Sequence, residues 1–190
     1  MSSKSKHKLL LHTCCAPCTT FVYPELVKKD LEITGYFYNP NVHPYKEFEK
    51  RLETLKIYAS LSKLPMVYNE AYDLEDHLRL TMGKGASERC LECYKLRLYT
   101  VAAYARAKGF DYFSTTLLIS PHQNHAAIIQ AGMEISRLHG VPFYYEDLRR
   151  GFQTSHQLAK EMKLYLQNYC GCVFSEKERF ARAVENSYTA

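Results

Sequence analysis

Seven cysteines fall into three short groups in this 190-residue chain: Cys14-Cys15-x-x-Cys18, Cys90-x-x-Cys93 and Cys170-Gly171-Cys172. Near-adjacent thiols from three distant stretches suit one shared site, and in a folded protein such thiols gather round a soft metal or a metal–sulfur cluster. Spacing alone leaves three chemistries open. Cys90, Cys93, Cys170 and Cys172 supply the thiolates of a closed tetrahedral zinc site, which leaves Cys14, Cys15 and Cys18 without a role. Cys15-x-x-Cys18 has the spacing of a redox dithiol that opens a helix, which leaves the other groups without one. A four-iron cluster takes four cysteines, and the remaining three are then enough for a second metal with a position open to substrate; only this reading uses all seven. Side chains of adjacent residues diverge, so Cys14 and Cys15 are expected to face two neighbouring metals rather than one.

The elements that must position these thiols follow from the pattern between them. The apolar run Lys8–Thr13 reads as a buried strand that delivers Cys14, and Thr19–Lys29 reads as a helix opening at Cys18, with Pro17 starting it. Thiolates there gain from the helix dipole. Further strands are expected at Ile33–Tyr38, Pro65–Tyr68, Tyr112–Thr115 and Pro142–Tyr145. Helices are expected at Tyr45–Leu64, Leu74–Thr81, Cys90–Lys108, Ala126–Leu138 (stopped by Gly140), Ser155–Gln167 and Ser175–Glu185. Strands alternating with helices predict an α/β fold with a parallel sheet covered on both faces, whose ligand site lies beyond the carboxyl ends of the strands.

The bulk numbers are those of an ordinary soluble globular protein. Hydrophobic content of 46% and charged content of 24% are ordinary for a globular chain, and the odd cysteine count forbids complete pairing. No secretory leader opens the chain and no stretch of about 18 apolar residues exists, so a cytoplasmic protein with free thiols and no membrane partner is expected. One domain over residues 8–190 is expected, after a disordered basic arm at residues 1–7. The net charge of +5 permits nucleic-acid contact without demanding it.

Taken in order, several pieces resemble the QueH-type epoxyqueuosine reductases over about Lys8 to Arg182. They are Cys14-Cys15-Ala16-Pro17-Cys18 after a strand, Tyr38-Asn39-Pro40-Asn41-Val42-His43-Pro44, and Glu88-Arg89-Cys90-x-x-Cys93-Tyr94-x-x-Arg97. Ser114–Pro121, Glu146-Asp147-Leu148-Arg149, Gly151-Phe152, Ser155 and Tyr169-Cys170-Gly171-Cys172 continue the series. The resemblance implies a Rossmann-like fold related to the adenine nucleotide hydrolase-like proteins, with cysteines where those relatives carry a phosphate loop. It implies reduction of epoxyqueuosine to queuosine in the tRNA anticodon loop, without cobalamin, by a [4Fe–4S] cluster and an adjacent metal ion, iron, recharged by an external electron donor. On the resemblance, Cys90, Cys93, Cys172 and one of Cys14 and Cys15 hold the cluster. Cys18, Cys170 and the other member of the pair then face the second metal.

Removing an epoxide oxygen takes two electrons and two protons, and no side chain supplies such electrons. Tyr169, His12, Tyr38 and His43 are the candidates for handling protons near the departing oxygen. Tyr38, Asn39, Arg97, Arg149 and Arg150 are the candidates for substrate or RNA contact, with Lys84, Arg89 and Lys95 beside them. His122-x-x-His125 has metal-ligand spacing, but it opens a helix, where capping and surface placement are expected instead. Two rivals stand: a non-catalytic RNA-binding domain stiffened by zinc, and an ATP-dependent tRNA-modifying enzyme of the same ancestry. The missing glycine/serine phosphate loop weighs against the second.

Overall fold

The computed structural model describes residues 6–188. Four parallel strands form the sheet: β1 (His7–His12), β2 (Leu31–Phe37), β3 (Met66–Tyr68) and β4 (Tyr112–Thr115), in the spatial order β3-β2-β1-β4. The register pairs His12 with Tyr36 on one side and with Thr115 on the other, so the ends of three strands lie level. Beyond β4, residue Phe143 makes a single parallel bridge to Phe113, which is all that forms of the strand expected at Pro142–Tyr145.

Seven helices complete the described chain: α1 (Ala16–Val27), α2 (Tyr45–Ser62), α3 (Leu74–Thr81), α4 (Ala86–Lys108), α5 (His125–His139), α6 (Phe152–Glu161) and α7 (Val173–Tyr188). Leu9, Leu10 and Leu11 are fully buried because β1 is covered on both faces. Leu9 and Leu11 join a core with residues of α1, α2 and α6, while Leu10 faces a second core with residues of α4 and α5. That alternation is the two-residue period of a strand, and each such side chain contributes about 1.5–3 kcal/mol of burial.

Some boundaries move. The expected arm at residues 1–7 is cut short: 1–5 lie outside the described residues, Lys6 is exposed, and His7 already belongs to β1. α1 starts at Ala16 rather than after Cys18, with Cys15 as its N-cap and Pro17 in its first turn. α4 starts at Ala86, so Cys90 and Cys93 ride on the helix rather than opening it. α6 ends at Glu161, which leaves residues 162–172 as a loop. Gly140 terminates α5 at φ +66°, the left-handed conformation glycine adopts without steric cost. No helix among the described residues is long and apolar enough to cross a membrane.

Candidate metal centre

The chain leaves β1 at the point where strand order reverses, between β1 and β4. There Cys14 N–H donates to Thr116 Oγ1 at 3.0 Å, and the Thr116 hydroxyl donates to Cys14 Sγ at 3.2 Å. Cys15 caps α1 with an extended backbone, and Cys18 lies inside the first turn. The result is three thiols whose sulfurs all lie within 4.8 Å of one another, with Cys14 and Cys15 sulfurs 3.6 Å apart. The sulfurs of Cys14 and Cys15 therefore converge. Strand alternation ends at His12, and the turn into α1 swings both side chains to one side. Thiolates on one tetrahedral ion, with metal–sulfur bonds near 2.3 Å, sit about 3.8 Å apart, so this spacing suits a soft metal.

The trio shares charge unequally. Hydrogen-bond contact with the Cys15 thiol and then the Cys18 thiol holds the Cys14 thiol well below the usual range. The same contact with Cys14 pushes Cys15 up to about 12, and Cys14 likewise pushes Cys18 upward. Gln167, in the loop after α6, donates its Nε2–H to Cys15 Sγ at 2.8 Å.

Cys93 is buried on α4, and burial raises its thiol to about 11; Cys90, one turn earlier, is exposed. The start of α4 is tied to the start of α7. Arg89 donates to Glu178 at 2.9 Å and stacks its guanidinium 4.5 Å from the Phe174 ring centroid. Cys172 sits immediately before α7, and its S–H donates to Cys170, which together with the Ser175 hydroxyl draws the Cys170 thiol down to about 5. The N-terminal turns of α1 and α7 therefore each carry thiols, where a helix favours the anion. Cys172 immediately precedes α7, whose first turns Arg89 ties to the start of α4, the helix that carries Cys90 and Cys93.

A clamp that spacing does not announce holds the Cys170-Gly171-Cys172 turn. Arg51 is only 3% exposed in α2, where it donates to Glu47 Oε1 at 2.7 Å, to Cys170 O at 3.0 Å and to Tyr169 O at 2.9 Å. Tyr165 O–H donates to the other Glu47 oxygen at 2.7 Å. His43 N–H donates to Gly171 O at 2.8 Å, and Tyr169 O–H donates to His43 O. Gly171 has φ +109°, and a Cβ there would meet Val42 Cγ2 at 2.7 Å and Arg51 at 3.0 Å. Both the conformation and the close approach require glycine. The only sequence signal for this clamp is Glu47-x-x-x-Arg51, the spacing of an ordinary surface ion pair.

The other expected residues fall into two sets. His12, Tyr38, Asn39 and Arg97 lie buried beneath the thiols. His12 Nε2 lies 3.1 Å from Tyr38 O, a pure acceptor, so Nε2 carries the proton and Nδ1 accepts from Thr115 Oγ1 at 2.8 Å. Burial lowers the His12 pKa to about 4, so it is neutral. Burial also pushes Tyr38 up to about 12. Asn39 Nδ2 donates to Thr13 O at 3.0 Å. Arg97 donates from Nε to Cys93 O at 3.1 Å, and its charge reaches Cys93, Cys14 and Cys170. It is the group common to all three cysteine stretches.

Arg149 and Arg150 are not gathered in. Arg149 pairs with Asp147, and Arg150 with Glu25 at 2.9 Å, about 10 Å further along α1 than Cys18 at the usual helical rise. Lys84, Arg89 and Lys95 are each paired with carboxylates. His122 is exposed, and Asn124 rather than either histidine caps α5.

The family model described as epoxyqueuosine reductase QueH matches residues 9–178. The chain belongs to the QueH family. A QueH relative from Dehalococcoides mccartyi is 37% identical over 175 residues, covering 92% of this chain and 96% of the relative. Another from Thermotoga maritima is 38% identical over 191 residues, covering 94% and 95%. Both carry the name epoxyqueuosine reductase QueH. Among solved structures, a predicted subunit of a tRNA methyltransferase from Methanocaldococcus jannaschii matches with TM-score 0.54 and 11% identity, covering 82% of this chain and 75% of that one. The U34-tRNA thiolase NcsA from Methanococcus maripaludis, solved with its [4Fe-4S] cluster, matches with TM-score 0.51 and 14% identity, covering 90% and 62%. These likenesses show the fold alone, the expected α/β architecture with a parallel sheet between helices.

Proposed function

We propose that this QueH-family chain reduces epoxyqueuosine in the tRNA anticodon loop to queuosine. The observation that carries the proposal is the trio of thiols Cys14, Cys15 and Cys18, whose sulfurs all lie within 4.8 Å of one another, in a chain whose relatives are named for this reaction. The donor set fits the group the reaction needs. Clustered thiols, with further thiols flanking them, suit an iron–sulfur cluster and leave enough ligands for an adjacent iron. Cys90, Cys93, Cys172 and one of Cys14 and Cys15 would hold the cluster. Cys18, Cys170 and the other of the pair would face the second metal. When bound, such a cluster supplies electrons one at a time, and an external one-electron donor must recharge it. The reaction balances as epoxide plus two electrons and two protons to alkene plus water, and needs no cobalamin.

The chain's own residues bind, orient and exclude water. His12 has its N–H committed to Tyr38 O and Tyr169 has its O–H committed to His43 O, so in this reading both hold the shape of the site. Arg97 and Tyr38 line the buried side, while the modified base reaches the thiols by leaving the anticodon stack. Cysteines at the turn after β1 replace the phosphate loop an ATP-dependent rival would use there.

The test is anaerobic incubation of the iron-reconstituted full chain with tRNA containing epoxyqueuosine and excess dithionite, followed by mass spectrometry of the digested nucleosides. Loss of one oxygen atom from the modified base is the expected result. A fully loaded protein that leaves epoxyqueuosine unchanged, with dithionite and with a biological ferredoxin-type donor, overturns the proposal.

A further inference from the structure

Arg97 is 4% exposed, yet no carboxylate among the described residues lies within ion-pair distance of it. By contrast, the buried Arg51 has Glu47, and Arg89 has Glu178. A buried cation with no counter-anion is strongly disfavoured, so folds that keep one supply an anion that matters to function. The imidazole near it does not take that place. His12 has both ring nitrogens engaged, by Tyr38 O and Thr115 Oγ1, and an imidazole supplies no anion. What Arg97 does meet is Cys93 and Tyr94: the Cys93 carbonyl accepts its Nε–H at 3.1 Å, the guanidinium hydrogen-bonds the Cys93 thiol, and the Tyr94 ring centroid lies 5.7 Å away.

We infer that Arg97 is a positioning residue whose fixed positive charge is the counter-ion of the metal–thiolate centre and sets its reduction potential, rather than an RNA-phosphate contact. The inference rests on the iron–sulfur reading above. A cluster held by thiolates is anionic and gains a further negative charge on reduction, so a buried cation stabilises the reduced form most and raises the potential. The spacing Cys93-x-x-x-Arg97 places the guanidinium one helical turn from a ligand on the same face of α4.

The test uses anaerobically reconstituted full-length protein and an electron-paramagnetic-resonance redox titration, with iron and sulfide content measured alongside. Arg97→Gln keeps a donor and loses the charge; Arg97→Lys keeps the charge and changes the shape. The midpoint of Arg97→Gln is expected to fall by at least a tenfold change in the reduction equilibrium, about 59 mV for one electron, with Arg97→Lys close to wild type. If the charge is needed even to assemble the centre, Arg97→Gln loses iron while Arg97→Lys keeps it. Arg97→Gln at the wild-type midpoint, or equal loss of iron in both variants, overturns the inference. A wild-type protein that takes up no iron–sulfur cluster sinks the functional reading instead.

Discussion

The first and third cysteine groups are held in place by different means. Cys14, Cys15 and Cys18 are set by regular structure: β1 ends, the backbone turns, and α1 begins with Pro17 in its first turn. Cys170 and Cys172 lie in a loop that has no ladder of its own, and long-range side chains from α2 and the 39–44 segment fix it. The first group is a product of local sequence at the end of a strand buried from Leu9 to His12. The second depends on one buried ion pair and one glycine, so it is where the centre should come apart first.

The largest effect is expected at the clamp. Arg51→Met leaves Glu47 buried without its cation and should cost about 3–5 kcal/mol of stability. Denaturant unfolding of the metal-free protein measures it, and a loss below about 1 kcal/mol means the turn is held by something else. On the other side of the comparison, the floor beneath the Cys14–Cys18 group should be acid-sensitive through His12. Its folded pKa of about 4 lies below the usual imidazole value of about 6.5, so the unfolded chain binds the proton more readily between those values. Stability is then complete above about pH 6.5 and falls as pH drops towards 4, by about 3 kcal/mol in full from this group. Urea midpoints at pH 7 and pH 4.5 check this; His12→Gln should flatten that part of the pH dependence, and an unchanged slope in the variant would contradict the assignment.

The sequence made the first region legible and concealed the second. A buried apolar run followed by cysteines and a proline points to a strand, a turn and a helix, and the expected site beyond the carboxyl end of β1 is where it lies. The start of α1 was harder to place because Cys15 caps it with no side-chain hydrogen bond, so the usual Ser, Thr, Asp or Asn signal is missing. α3 and β4 have the expected bounds because short apolar patterns bracketed by turn residues leave little choice. Residues 162–167 read as the end of a helix by composition, yet they form loop, which brings Gln167 over Cys15. Nothing local in the sequence tells Arg51 from Lys50 or Lys56 on the same helix; the returning chain at Tyr169 and Cys170 is what engages it.

Two smaller effects sharpen the contrast. Gly171→Ala strains the turn through both its positive φ and the approach to Val42, and about 1–3 kcal/mol is expected. The equivalent readout is again a denaturant midpoint, and a neutral substitution would mean that the turn relaxes freely. Gln167→Leu removes only the N–H donor to Cys15 and should cost about 0.5–1.5 kcal/mol, leaving Cys170 reactivity towards iodoacetamide unchanged. Faster alkylation of Cys170 in that variant would show that the two regions are coupled through the loop after α6.

The most direct measurement of a shared centre is the iron and acid-labile sulfide content of anaerobically purified wild-type protein beside Cys93→Ala. The account predicts a brown wild type with about four sulfides and four or five irons per chain, and collapse of both in Cys93→Ala. A colourless wild type that holds one zinc and no sulfide after reconstitution, or a Cys93→Ala variant that keeps all its iron and sulfide, would contradict it.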